Sequence, residues 1–193
     1  SAADQGAQLE IVEASILRTG LPDEVFDFAV ARLVFQHLAA PDFALLEILR
    51  LLKPGGCLAV LDIDDDLGGL LVPHSPAFGM LARTVAAVQA RRGGDRHIGR
   101  KLWRLLQHAG YVERRLETLV FHSDELGLEP FLPQYQPARY RTFVCSDGLS
   151  EDEWEVYRVA YDEFVTSPEA YILQVLMLAS GKKPIGATPR CLP

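Results

Sequence analysis

Cysteine is scarce in this chain of 193 residues. Cys57, Cys145 and Cys191 lie far apart and none forms a C-x-x-C pair, which argues against a zinc site and against a disulfide framework. A reducing, cytoplasmic setting fits that usage. No run of 18 apolar residues occurs, so no membrane-spanning helix is expected. Positive charge is also short: 19 Lys and Arg face 26 Asp and Glu, a formal charge of −7. An acidic chain gains nothing from counterion release on a phosphate backbone, so nucleic acid is not an expected partner. The opening "SAADQGAQLE" is neither a signal peptide nor an initiator methionine, and no internal repeat is visible.

What is present reads as an ordinary globular domain, with 49% hydrophobic and 23% charged residues. A chain of this length folds as one domain with a real core. "LEIVEAS" (9–15) and "VFDFAVA" (25–31) are apolar runs bounded by turn residues and predict strands. Over 42–53 the period changes: Leu45, Ile48, Leu49 and Leu52 form one helical stripe, with Asp42 as the expected N-cap and Pro54 as the stop. "CLAVLDI" (57–63) predicts a buried strand, which completes a β-α-β unit.

Further on, Phe78, Leu81, Val85 and Val88 mark a helix over 76–92. Ile98, Leu102, Leu105, Leu106 and Ala109 mark another over 98–109, ended by Gly110. A more polar strand follows at 112–121. Residues 126–146 carry Pro130, Pro133 and Pro137 among aromatics, a poor regular element and a reasonable lid. Ser150 and Glu153 form a capping box that opens a helix to about Val165, with Trp154, Tyr157, Tyr161 and Phe164 on one face. "AYILQVLMLAS" (170–180) predicts the last strand, and the residues after 183 a tail. Alternating strands and helices imply an α/β domain with a mostly parallel sheet and ligand sites beyond the carboxyl ends of the strands.

The stretch "LPDEVFDFAVARLVFQHLAAPDFALLEILRLLKPGGCLAVLDID" resembles the second half of the class I S-adenosylmethionine-dependent methyltransferases, with their L-P-x-x-x-F-D strand, their R-x-L-K-P-G-G helix end and the apolar strand after it. "VEASI", "IGRKLWRLLQHAGYVERRLETLVF" and "AYILQVLMLASGKKP" resemble further parts of that family in the same order, so the likeness covers roughly residues 9–183. It implies a Rossmann-like sheet with helices on both faces, a partial methyltransferase domain over 1–183 with a cap or lid insertion at 126–166, and a tail at 184–193. It implies S-adenosylmethionine as cofactor, with direct methyl transfer to a nucleophilic O, N or C atom of a small-molecule substrate. Alignment of nucleophile and methyl then contributes most of the rate.

Carried over by position, Ser15 and Ile16 fall at the adenine site, and Ala31 and Arg32 fall beside the methionine part of the cofactor. Asp62, Asp64, Asp65 and Asp66 border the substrate pocket. Asp62 and His37 are the candidate proton acceptors, and Asp64, Tyr135 and Tyr140 are pocket candidates. A metal among the aspartates is weighed and not expected, since strand four ends in Ala31-Arg32 rather than in another acid. "GDRHIGRK" lacks the G-K-[ST] of a phosphate loop and lies near the pocket mouth.

The family's E-x-G-x-G-x-G loop and the acid that holds the ribose are missing. This predicts a chain lacking the first two βα units, incomplete and inactive by itself, with an open edge on its central strand. The competing readings are a non-catalytic methyltransferase-like scaffold and a dinucleotide-dependent oxidoreductase. Against the latter, neither Tyr-x-x-x-Lys nor G-x-G-x-x-G occurs. A second copy of the chain, in a homodimer, is the candidate protein partner.

Overall fold

In the computed structural model, residues 8–145 and 148–186 are described. The first two strands form from the most continuous apolar runs. Strand β1 (Phe26–Arg32) pairs in parallel with β2 (Leu52–Asp62), from Ala29 opposite Leu58 to Arg32 opposite Leu61. Helix α1 (Pro41–Leu51) makes the crossover, burying Ala44, Leu45, Ile48 and Leu51 on one stripe.

Three further strands complete the sheet: β3 (Gly69–Val72), β4 (Val112–His122) and β5 (Tyr171–Lys182). β5 runs against all its neighbours. Along one edge it pairs with β2 and, end to end with that, β3; along the other it pairs with β4. Four strands therefore run one way and β5 the other, a mixed α/β sheet that is mostly but not purely parallel.

Helices pack in two groups. α1 and α3 (Leu102–His108) enclose a core of Ala31, Phe35, Leu45, Leu58, Leu102 and Tyr111. α2 (Pro76–Arg91) and α6 (Glu151–Thr166) enclose a second, aromatic core of Phe78, Trp154, Tyr157, Phe164 and Ile172. Ala179 belongs to the first core and Ile172 to the second, an odd spacing along β5 that sends them to opposite faces of the sheet. The capping box forms as expected: the Ser150 hydroxyl accepts from the Glu153 amide, and Glu153 accepts from the Ser150 amide.

Several expectations are corrected. Residues 9–15 form no strand. The segment runs without regular structure to a single bridge between Ser15 and Arg18, and Leu9 and Ile11 are more than four-fifths exposed. An apolar run becomes a strand only with a partner, and the outer edge of β1 pairs with no strand among the described residues. Phe26, Phe28 and Val30 of β1 are correspondingly exposed. What anchors the next stretch is polar: the Thr19 amide and hydroxyl donate to Glu47 at 2.7 and 2.6 Å, and Arg50 donates to the Leu21 carbonyl at 2.8 Å. Arg50, chief among these donors, pulls the Glu47 carboxyl down to about 2.

The corner at Lys53-Pro54-Gly55-Gly56 is not a helix stop. α1 ends earlier, at Leu51, and the corner lies inside β2, where the register to β1 slips between Phe26 and Phe28. Proline, lacking a ladder donor, is tolerated at such a bulge. Gly55 takes φ +81°, and a Cβ on Gly56 would stand 2.9 Å from the Lys53 carbonyl and 3.1 Å from that of Asp27. Asp42 is not the N-cap either. Ala40 holds that position, Pro41 opens the helix, and Asp42 sits in the first turn, where a negative charge favours the helix dipole.

Finally, 126–146 is more regular than expected. α4 (Ser123–Leu126), a 3-10 turn at 132–134 and α5 (Pro137–Cys145) occupy most of it. Pro133 lies within that 3-10 turn and Pro137 opens α5, the first-turn place where a missing N–H costs nothing. Of the expected tail, residues 187–193 lie outside the described residues.

Candidate active site at the strand ends

β1 leaves the sheet through Leu33, whose φ of +56° is uncommon for a bulky residue. This kink throws the chain into a 3-10 turn at 35–37 that lies over the end of β2. Asp62, the last residue of β2, holds the turn: its carboxylate accepts from the Gln36 amide at 3.2 Å and from the Ile63 amide at 2.9 Å. Asp62 is fully buried. Burial pushes its carboxyl above the usual range, and the amide donors, with a smaller electrostatic pull from His37, offset part of that rise. His37 itself is exposed on the same turn.

The next three aspartates diverge. Asp64 is buried and receives Nε, Nη2 and the backbone amide of Arg100, which holds its carboxyl below the usual carboxylate range. Asp66 meets the same guanidinium from the exposed side. Asp65 accepts two bonds from Arg96, at 2.5 and 2.9 Å. Arg96 also reaches the Gln36 side-chain oxygen at 3.3 Å, and the Gln36 carbonyl accepts from the Gln89 side chain at 2.6 Å and the Asp95 amide at 2.8 Å. One polar network thus ties the ends of β1 and β2 to the end of α2 and to loop 95–100. Among the described residues, no three His, Cys, Asp or Glu side chains are grouped to hold a metal.

Beside this network opens a cavity of about 370 Å³. Its walls include Phe78, Tyr157, Tyr135 and Tyr140, with Asp65 and Arg96 at its polar end. The pocket candidates Tyr135 and Tyr140 therefore line it, while Asp64 is turned away into its ion pair with Arg100. Ser15 and Arg32 are exposed, and the Ser15 hydroxyl accepts from the Leu17 amide at 3.3 Å. Ile16 packs on the core that contains Ala31, which is itself buried. Sequence reasoning missed Gln36, Gln89, Arg96 and Arg100. The only signal was the charge complementarity between "DIDDD" and "DRHIGRK".

Residues 1–60 match the family model of the methyltransferase domain. A Bacillus halodurans protein assigned to the methyltransferases matches in structure at 16% identity and a TM-score of 0.50, over 91% of this chain and 78% of its own.

The chain shares the fold of that methyltransferase.

The YcgJ protein of Bacillus subtilis is similar at 16% identity and a TM-score of 0.49, over 96% of this chain and 76% of its own. Phosphoethanolamine N-methyltransferase 2 of Haemonchus contortus, solved with S-adenosyl-L-methionine, is similar at 14% identity and a TM-score of 0.45; 88% of this chain matches, spanning only 36% of that one. No curated protein sequence matches the chain. In methyltransferase terms, the family match contains Ser15, Ile16, Ala31, Arg32 and His37 and stops two residues before Asp62.

Proposed function

We propose that the protein transfers a methyl group from S-adenosylmethionine to a small-molecule acceptor. The observation that carries this reading is the methyltransferase-domain match over 1–60, which ends where the strand ends converge on Asp62. The described residues fit part of the cofactor. Ile16 packs against the core that includes Ala31, the buried residue next to the end of β1. Arg32, exposed at the same strand end, suits a carboxylate. Ser15 is the adenine-side hydroxyl. The bound cofactor supplies an electrophilic sulfonium methyl.

The chain's own residues divide the remaining work. Asp62 has both carboxylate oxygens engaged and no surface, so it acts as a positioning residue that fixes the 35–37 turn. His37, exposed on that turn, is the proton acceptor in this reading. In this reading the described residues supply one wall of the cofactor site. Calorimetric titration with S-adenosylhomocysteine and with NADH tests the reading. Binding of S-adenosylhomocysteine supports it; binding of NADH alone makes the protein a dinucleotide enzyme instead.

A further inference from the structure

We infer that the 370 Å³ cavity is the acceptor site and that it takes a compact, uncharged ring compound bearing a hydroxyl group. This rests on the methyl-transfer reading above and adds the class of acceptor. Three features of the cavity lead to it.

The first is charge. Three acidic or basic side chains line it: His74 is exposed, while Arg96 and Asp65 are locked to each other by two parallel bonds, each side chain about one-quarter exposed. Such a fork satisfies both groups. An anionic acceptor would have to displace Asp65 or lie against it, and a cationic one would have to displace Arg96. Either leaves a charge unpaired in a half-buried site, a costly exchange. A neutral ligand disturbs nothing.

The second is shape and surface. Phe78 stands edge-on to Tyr135, with ring centres 6.2 Å apart and planes at 87°, and edge-on to Tyr157 at 5.7 Å and 82°. Leu71, Leu81 and Val85 continue the apolar wall. Edges and faces of rings fixed in this way offer stacking and edge contacts to another ring, and the volume lies at the small end of the range for pockets that enclose compact ligands.

The third is the hydrogen-bond inventory. The Tyr157 hydroxyl donates to the Tyr135 carbonyl, and the Tyr140 hydroxyl to the Gln134 carbonyl. The Gln174 amide donates to the Gln134 side-chain oxygen at 2.7 Å. The Tyr135 hydroxyl, by contrast, has no hydrogen-bond partner among the described residues. Burial pushes its pKa up to about 12, so it remains a protonated phenol able to donate to or accept from a ligand hydroxyl. It is the group that orients the acceptor.

The test uses a series with one ring system and different charge: 2-naphthol, 2-naphthyl phosphate, 2-naphthylmethylamine and naphthalene, titrated by calorimetry into the chain without cofactor. We expect 2-naphthol to bind at least about tenfold more tightly than the phosphate or the amine, since either charge disrupts the Arg96–Asp65 pair. Tyr135→Phe should weaken 2-naphthol by roughly 3- to 10-fold, the worth of one hydrogen bond, and leave naphthalene unchanged. Asp65→Asn should release Arg96 and tighten the phosphate selectively. Preference for the phosphate or the amine in the wild-type chain, or a Tyr135→Phe effect equal for naphthol and naphthalene, overturns the inference. Failure of the methyl-transfer reading is distinct, because it shows in the S-adenosylhomocysteine titration and not in this series.

Discussion

Phe78 is the residue through which packing and pocket can be perturbed together. It is 9% exposed and meets three aromatic rings edge-on: Tyr135, Tyr157 and Phe164, the last at 5.5 Å. Phe78→Ala removes the ring from the second core and merges the space with the adjoining cavity. Phe→Ala in a core costs about 3 to 5 kcal/mol. Because one side of Phe78 already borders open space, the lower end, about 3 kcal/mol, applies. Phe78→Leu keeps most of the volume and loses the three edge-on contacts; at the low end of about 0.5 to 1.5 kcal/mol each, a loss of about 1.5 kcal/mol is expected. Urea unfolding followed by circular dichroism measures both, the midpoint falling while the slope m is unchanged. In the same preparations, Phe78→Ala should bind 2-naphthol less tightly than Phe78→Leu. A loss below about 1 kcal/mol for Phe78→Ala, well short of the core range, would show that the aromatic cluster does not hold α2 to α6.

Other outcomes follow from the polar network. Asp62→Asn leaves one of two buried backbone amides without a full acceptor and should cost roughly 1 to 2 kcal/mol. Because burial raises the carboxyl of Asp62 in the folded state, wild-type stability from this group is fully present below the unfolded value of about 3.9 and is lost as pH rises through the folded value. The wild-type advantage over Asp62→Asn, read from urea midpoints, should therefore be larger in mild acid than at neutral pH. Arg100→Met should lower the melting temperature at neutral pH by stranding buried Asp64. Since Arg100 depresses the Asp64 carboxyl, that contribution is present above the unfolded value of about 3.9 and lost as pH falls through the folded one, so the gap between melting curves should close in acid. Gly56→Ala forces a Cβ to within 2.9 Å of the Lys53 carbonyl and should destabilise by roughly 1 to 3 kcal/mol in the same urea assay.

The parts of the fold legible in the sequence are those with local causes. The helical stripes of α2 and α6, the capping box at Ser150 and Glu153, and the apolar runs of β1 and β2 each state their structure within a dozen residues. The misses are non-local or positional. "LEIVEAS" has the composition of a strand, but a strand is decided by a partner. Pro54 reads as a helix stop and is a bulge in a strand; Pro137 reads as a breaker and starts a helix. Of the site, the likeness to methyltransferases pointed to the region around Asp62 and the segment holding Tyr135 and Tyr140. The pairing of Asp64 with Arg100 and Asp65 with Arg96 spans 36 and 31 residues. It depends on how loop 95–100 returns to the end of β2, which no local pattern encodes. For the same reason Asp62, an obvious acid in sequence, turned out to be a buried clamp on the turn that carries His37.

In the proposed function, the carboxyl end of β1, with the turn at Ser15–Ile16, is a binding surface for S-adenosylmethionine. Titrating the ¹⁵N-labelled chain with S-adenosylhomocysteine, with amide shifts followed by NMR, tests it directly and registers even weak binding. Saturable shifts are expected at Ile16, Ala31, Arg32 and Leu33, with the amides of α6 unmoved. Shifts confined to other regions, or produced by NADH and not by S-adenosylhomocysteine, would contradict it.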